Sequence, residues 1–168
     1  MSDPVRLRVL KALTAALESI TPANGYQNDL TGAVFRGRAY FGSDDPLPMV
    51  ALSEPPVPSE DPNEGAFDNV KVTTPWDIII QGFVPVDKEN PTDPAHVLAS
   101  EVRKVLATER NRKGANFRDG DILGLGNVVE KLSIGSLTVR PSDNISATAY
   151  FWLFVKVTIV EDLLNPLG

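Results

Sequence analysis

The chain contains no cysteine and a single histidine, His96. The first absence removes disulfides, thiolate nucleophiles and every cysteine-bearing zinc site. The second leaves one residue to serve any Ser-His-acid triad, and His96 falls in the first turn of an expected helix with nothing like a nucleophile elbow beside it. No apolar run approaches the roughly 20 residues needed to cross a bilayer, and the longest, "AYFWLFV", is strand-sized. The glycine patterns of nucleotide binding are missing as well. "GLGNVVE" at 124–130 lacks the third glycine of a dinucleotide fingerprint and leads into a strand rather than out of one, and there is no P-loop. A formal charge of −6 disfavours general affinity for DNA or anionic membranes, where binding is driven by cationic neutralisation.

What remains is an ordinary globular composition, 42% hydrophobic over 168 residues, which fits one domain spanning 1–168. The N-terminal stretch "MSDPVRLRVLKALTAALESI" intersperses Arg and Lys instead of placing a charged head before an apolar core. It reads as a mature amphipathic helix rather than a signal peptide, so a cytosolic chain is expected. This helix is expected over 4–19, capped by Ser2 or Asp3, with Pro4 in its first turn and Val9, Leu10, Leu13, Leu17 and Ile20 on the buried side.

"TGAVFRGRAYFG" alternates as a half-exposed strand, with Val34, Arg36, Arg38 and Tyr40 on one side and Phe35, Gly37, Ala39 and Phe41 on the other. "LPMVALS" gives a second, short strand. A long loop follows at about 54–70, rich in proline and acids. In the next strand Trp76, Ile78, Ile80, Val84 and Val86 share a face, with Pro75 and Pro85 near its ends. The second helix starts at Pro94 behind Thr92 or Asp93 and buries Leu98, Val102, Val105 and Leu106. A flexible, glycine-bearing loop is expected at about 110–127. Two long strands, 128–140 and 146–160, joined by the turn "PSDN", close the chain. The sum is an α+β fold: a mostly antiparallel β-sheet with two helices packed on one face.

The last strand presents an unbroken apolar face (Ala147 through Ile159) and an opposite face where Tyr150, Trp152 and Phe154 sit among polar residues. Three aromatics in a row need a cover, supplied either by one of the chain's own helices or by a neighbouring subunit. Charge is segregated too. Residues 41–70 hold seven acids and no Lys or Arg, whereas 103–118 hold six basic residues and one acid. These are two solvated loops, or one subunit's acidic loop meets its neighbour's basic one, with Glu60, Asp61 and Glu64 facing Arg110, Arg112 and Lys113. Arg36 and Arg38 are expected to pair with acids inside the chain or across an interface. "DKENPTDPAH" holds Asp87, Glu89, Asp93 and His96, but two prolines stiffen it and no glycine supplies the turn of a hard-cation loop. It reads as a connector whose Asp93 starts a helix. No catalytic, cofactor-binding or metal residue is expected, and no cofactor.

The order of these features is itself informative. An amphipathic helix leads through "YQNDLTGAVFRGRAYFG" to "LPMVALSEPP", then to "WDIIIQGFVPVDKENPTDPAHVLASEVRKVL" and a final strand "ATAYFWLFVKVTIVED". This resembles the tail terminator proteins of long-tailed phages, also known as minor tail or tail completion proteins. The similarity covers most of the chain and is weakest in the loops at 54–69 and 111–126. The resemblance implies a non-enzymatic ring-forming subunit, a hexamer, found in the virion tail and, during assembly, in the host cytoplasm. It implies that the ring caps the tail tube, stops its polymerisation and forms the surface for head joining. The implied partners are copies of itself, the tail tube protein and a head-completion or neck protein, with no sequence-specific nucleic acid and no membrane. Two other readings stand beside it: a head-to-tail connector or neck adaptor, and a small ligand-binding module.

Overall fold

In the computed structural model the described residues are 3–56, 70–116 and 119–167. The first helix, α1 (Val5–Glu18), begins directly after Pro4, whose carbonyl accepts from the Arg8 amide at 3.0 Å. Of the two residues expected as its cap, Asp3 does not serve as one and accepts instead from Lys11 Nζ at 2.6 Å, while Ser2 lies outside the described residues. Val5, Val9, Leu13 and Leu17 recur every four residues and are all buried, while Leu10 is half-buried on the flank.

Five strands follow in one sheet: β1 (Val34–Arg36), β2 (Met49–Ser53), β3 (Lys71–Val84), β4 (Val129–Arg140) and β5 (Ala149–Asp162). Their order is β1-β2-β3-β5-β4. Among the described residues only β1 and β2 run parallel; every other neighbouring pair is antiparallel. Between β3 and β4 the chain forms α2 (Asp93–Arg110). The fold is thus α+β, with two helices and a mostly antiparallel sheet.

One hydrophobic core unites these elements. α1 and α2 press Leu13, Leu17, Leu98, Val102 and Leu106 against the side chains of β3 and β5 that point the same way, Ile78, Ile80, Leu153, Val155 and Val157 among them. Phe151 is fully buried, and Gly82 makes room for it. The two are cross-strand partners, and a Cβ on Gly82 would lie 2.0 Å from Phe151 Cε1. The glycine is therefore a seat for a ring, not a kink. The one buried charged residue among those described, Glu101 of α2, accepts hydrogen bonds from the Gln27 amide and from Asn28 Nδ2 at 2.7 Å. It ties α2 to the segment that follows α1.

Several boundaries differ from the alternation read in sequence. β1 stops at Arg36 because Gly37 adopts φ +63°, a left-handed conformation that ends the two-residue repeat. β3 begins at Lys71, so Pro75 lies inside a paired strand, opposite Thr158. It is tolerated there because β2 pairs only from Ile79 onward, leaving β3 with a neighbour on one side at Pro75. Val86 lies beyond the end of β3 and is exposed. The segment after α2 is not simply a flexible loop. It holds a bridge between Lys113 and Gly120 and two short 3-10 turns, and it delivers Leu123 to the core at φ +58°.

Candidate assembly surface

Side chains alternate across the sheet, so each strand that feeds the core must present its other residues away from both helices. On that second face β3 and β5 place Asp77 beside Lys156, Ile79 beside Phe154, Gln81 beside Trp152 and Phe83 beside Tyr150. Tyr150, Trp152 and Phe154 therefore lie opposite α1 and α2, and neither helix covers them. Their burial is graded: Tyr150 is buried, Trp152 half-buried, and Phe154 45% exposed.

Tyr150 owes its burial to loops. Residues 37–48 fold over the β1–β2–β3 side of this face and bring Phe41 onto it. A continuous row of rings results, from Phe35 to Phe41 (6.3 Å), Phe83 (5.2 Å), Tyr150 (6.2 Å) and Trp152 (5.5 Å). Arg38 closes the near end. Its guanidinium stacks over Phe35 at 4.7 Å and Phe41 at 5.1 Å, and binds Asp45 at 2.7 Å. The Gly42 amide, with Arg38 adding to it, holds the Asp45 carboxyl below the usual aspartate range.

The β4–β5 hairpin forms the opposite wall. Asp143 accepts from the amides of Ile145 (2.8 Å) and Ser146 (3.2 Å) and from the Tyr150 hydroxyl (2.8 Å), and pairs with Arg140 at 3.7 Å. These contacts, the Ile145 amide foremost, lower its pKa. Burial, with the neighbouring carboxylate, raises that of Tyr150. Between the walls lies a groove of about 540 Å3, floored by Met49, Gln81, Phe83, Tyr150 and Trp152.

Arg36 and Arg38, expected on one side of a strand, are on opposite faces: Arg36 reaches Thr14 of α1 at 3.4 Å, while Arg38 belongs to the aromatic row. The left-handed Gly37 between them is the reason. Of the basic trio, Arg112 is held within the chain by Glu109 and Asp121, both at 3.5 Å. Its guanidinium also packs where Gly124 has no side chain. Arg110 and Lys113 are exposed and form no ion pair among the described residues. Glu60, Asp61 and Glu64 lie outside the described residues. In the connector before α2, Asp87 accepts from the amides of Glu89 and Asn90 at 2.8 and 2.7 Å, a local turn, and Asp93 is the first residue of α2, after Thr92. Among the described residues no group of three or more His, Asp or Glu side chains is placed to hold a metal ion.

The strip of three aromatics in β5 was plain from the sequence, as was the outward side of β3 with Asp77, Ile79, Gln81 and Phe83; their joining into one row with Phe35 and Phe41 was not. Alternation alone puts Phe83 on the same side of β3 as Gln81, away from the core. Phe41 could not be placed that way, because a loop carries it there. The exposed edge of the sheet, β4, carries Glu130, Lys131 and Arg140 and is broken by register shifts at 129–131 and 134–137. Charges and bulges of this kind discourage edge-to-edge pairing.

Compared with known proteins, the chain matches no protein-family model and no curated protein sequence. Among the described residues no helix is long and apolar enough to cross a membrane.

Proposed function

We propose that this chain is a structural virion protein that caps the tail tube of a long-tailed phage, stops its polymerisation and forms the surface for head joining, acting as a ring of identical copies, six by the resemblance noted above. The observation that carries this reading is the helix-free face: a row of aromatic rings crossing a sheet whose helices both lie on the other side. β3 and β5 are 14 residues each. With β4 (12 residues) they present roughly 600 Å2 of helix-free face, somewhat below the roughly 800 Å2 per partner of a stable protein complex. The order of elements supports the same reading, as does the exposed basic pair at the end of α2, which is suited to heterologous contacts between neighbours in a ring. With −6 per copy, such a ring would repel passing DNA rather than grip it.

Electron microscopy of tails assembled with and without this chain tests the proposal. Uniform tails in its presence and overgrown tails of variable length in its absence are expected. A neck adaptor would instead bind heads in preference to purified tubes. The groove favours one second reading, a small ligand-binding module, because its volume falls within the range of small-molecule sites. A monomer at high concentration that retains a small molecule in the groove would favour that module.

A further inference from the structure

Both carboxylates in the groove walls already have cationic partners within the chain, Asp45 in Arg38 and Asp143 in Arg140. The walls therefore ask for no further charge. What stands open at the rim is apolar: Tyr40 at 88% exposure, Ile145 at 72%, and Leu47. A second exposed apolar group sits just past the far end of β5, where Leu163 and Leu164 protrude, Leu164 at 81%. They are held out by a defined turn rather than dangling. Asp162 Oδ1 accepts from the amides of Leu164 and Asn165 at 3.0 and 3.1 Å, and the Leu163 amide donates to the Val70 carbonyl at 2.8 Å.

The two groups cannot meet within one molecule. β5 separates them by its full 14 residues, on the order of 45 Å. We propose that the Leu163–Leu164 turn of one copy seats in the aromatic groove of the next. The contact is head-to-tail: a groove at one end of β5 receives a knob from the other end of a neighbour's β5, so each copy both gives and receives. A turn carrying two leucines buries far less than the roughly 1,200–2,000 Å2 of a stable pair. Isolated pairs are accordingly weak, and the contact holds where a closed ring or a tube end makes it many times over. This rests on the reading that copies of this chain assemble with one another.

The absence of native cysteine gives a clean test. Full-length Ile145→Cys and Leu164→Cys chains, each altered at an exposed position, are mixed, assembled on tail tubes and oxidised mildly. A disulfide joining the two versions is expected, at least tenfold more abundant than in either version alone. The double variant is expected to give a cross-linked ladder that ends at the copy number of the ring. Assemblies that form normally but show no 145–164 bond, or only 145–145 bonds marking groove-to-groove pairing, overturn the contact while leaving the ring reading intact. Failure of the unaltered chain to assemble at all, on tubes or at high concentration, overturns both.

Discussion

On β5, Phe151, Leu153, Val155, Val157 and Ile159 enter a core roofed by α1 and α2, while Tyr150, Trp152 and Phe154, one residue out of phase, meet no helix. The two faces share a backbone, a register and neighbouring strands, so their difference lies wholly in what covers them. The roofed face is satisfied within one chain. The other is satisfied in part, by two loops whose walls carry their own Arg–Asp pairs, and stays open at Phe154 and along the groove. Substitutions on the first face should therefore cost folding, and those on the second should cost assembly.

The largest effect is expected at Phe151→Ala, which empties the core beneath α1 and α2 and should cost about 3–5 kcal/mol. Denaturant unfolding should show a lower midpoint at unchanged slope. Gly82→Ala sharpens the same point from the other partner. A methyl group cannot coexist with the Phe151 ring at 2.0 Å, and the loss should be about 3 kcal/mol, eased when Phe151→Leu is added. Trp152→Ala, next along β5 from Phe151, should cost only about 1–2 kcal/mol because its side chain is half-buried. Sedimentation should nevertheless show loss of assembly. If Trp152→Ala lowered stability as much as Phe151→Ala and left assembly untouched, the contrast between the faces would be wrong.

The smallest effect concerns the hairpin wall. The stability contributed by Asp143, whose pKa is lowered in the fold, is present above its ordinary value of 3.8 and is lost as pH falls through the lowered one. That of Tyr150, whose pKa is raised, is present below 10.0 and is lost as pH rises through the raised one. Trp152 fluorescence, read in a Trp76→Phe background, should be flat from about pH 5 to about pH 9 and should change outside that window. Tyr150→Phe should remove the alkaline change.

Much of the roofed face was legible in the sequence, because apolar spacing of three and four in the helices and of two in β3 and β5 follows directly from burial. The helix-free face was legible along β5 and, by the same alternation, along β3. Phe41 reaches it through a loop, and the divergence of Arg36 from Arg38 turns on one positive φ at Gly37, which alternation does not record. The start of β3 was hidden by Pro75, which signals a strand boundary unless one knows that β2 has already ended there. The basic segment was visible as a run of charge. That Arg112 is spoken for by Glu109 and Asp121 while Arg110 and Lys113 are not depends on the fold of the turns after α2.

The length distribution of tails assembled with the unaltered chain, with Trp152→Ala and without the protein tests the central claim most directly. The account predicts uniform tails in the first case and overgrown, variable tails in the other two, with Trp152→Ala still folded. Tails of the same uniform length in all three would contradict it.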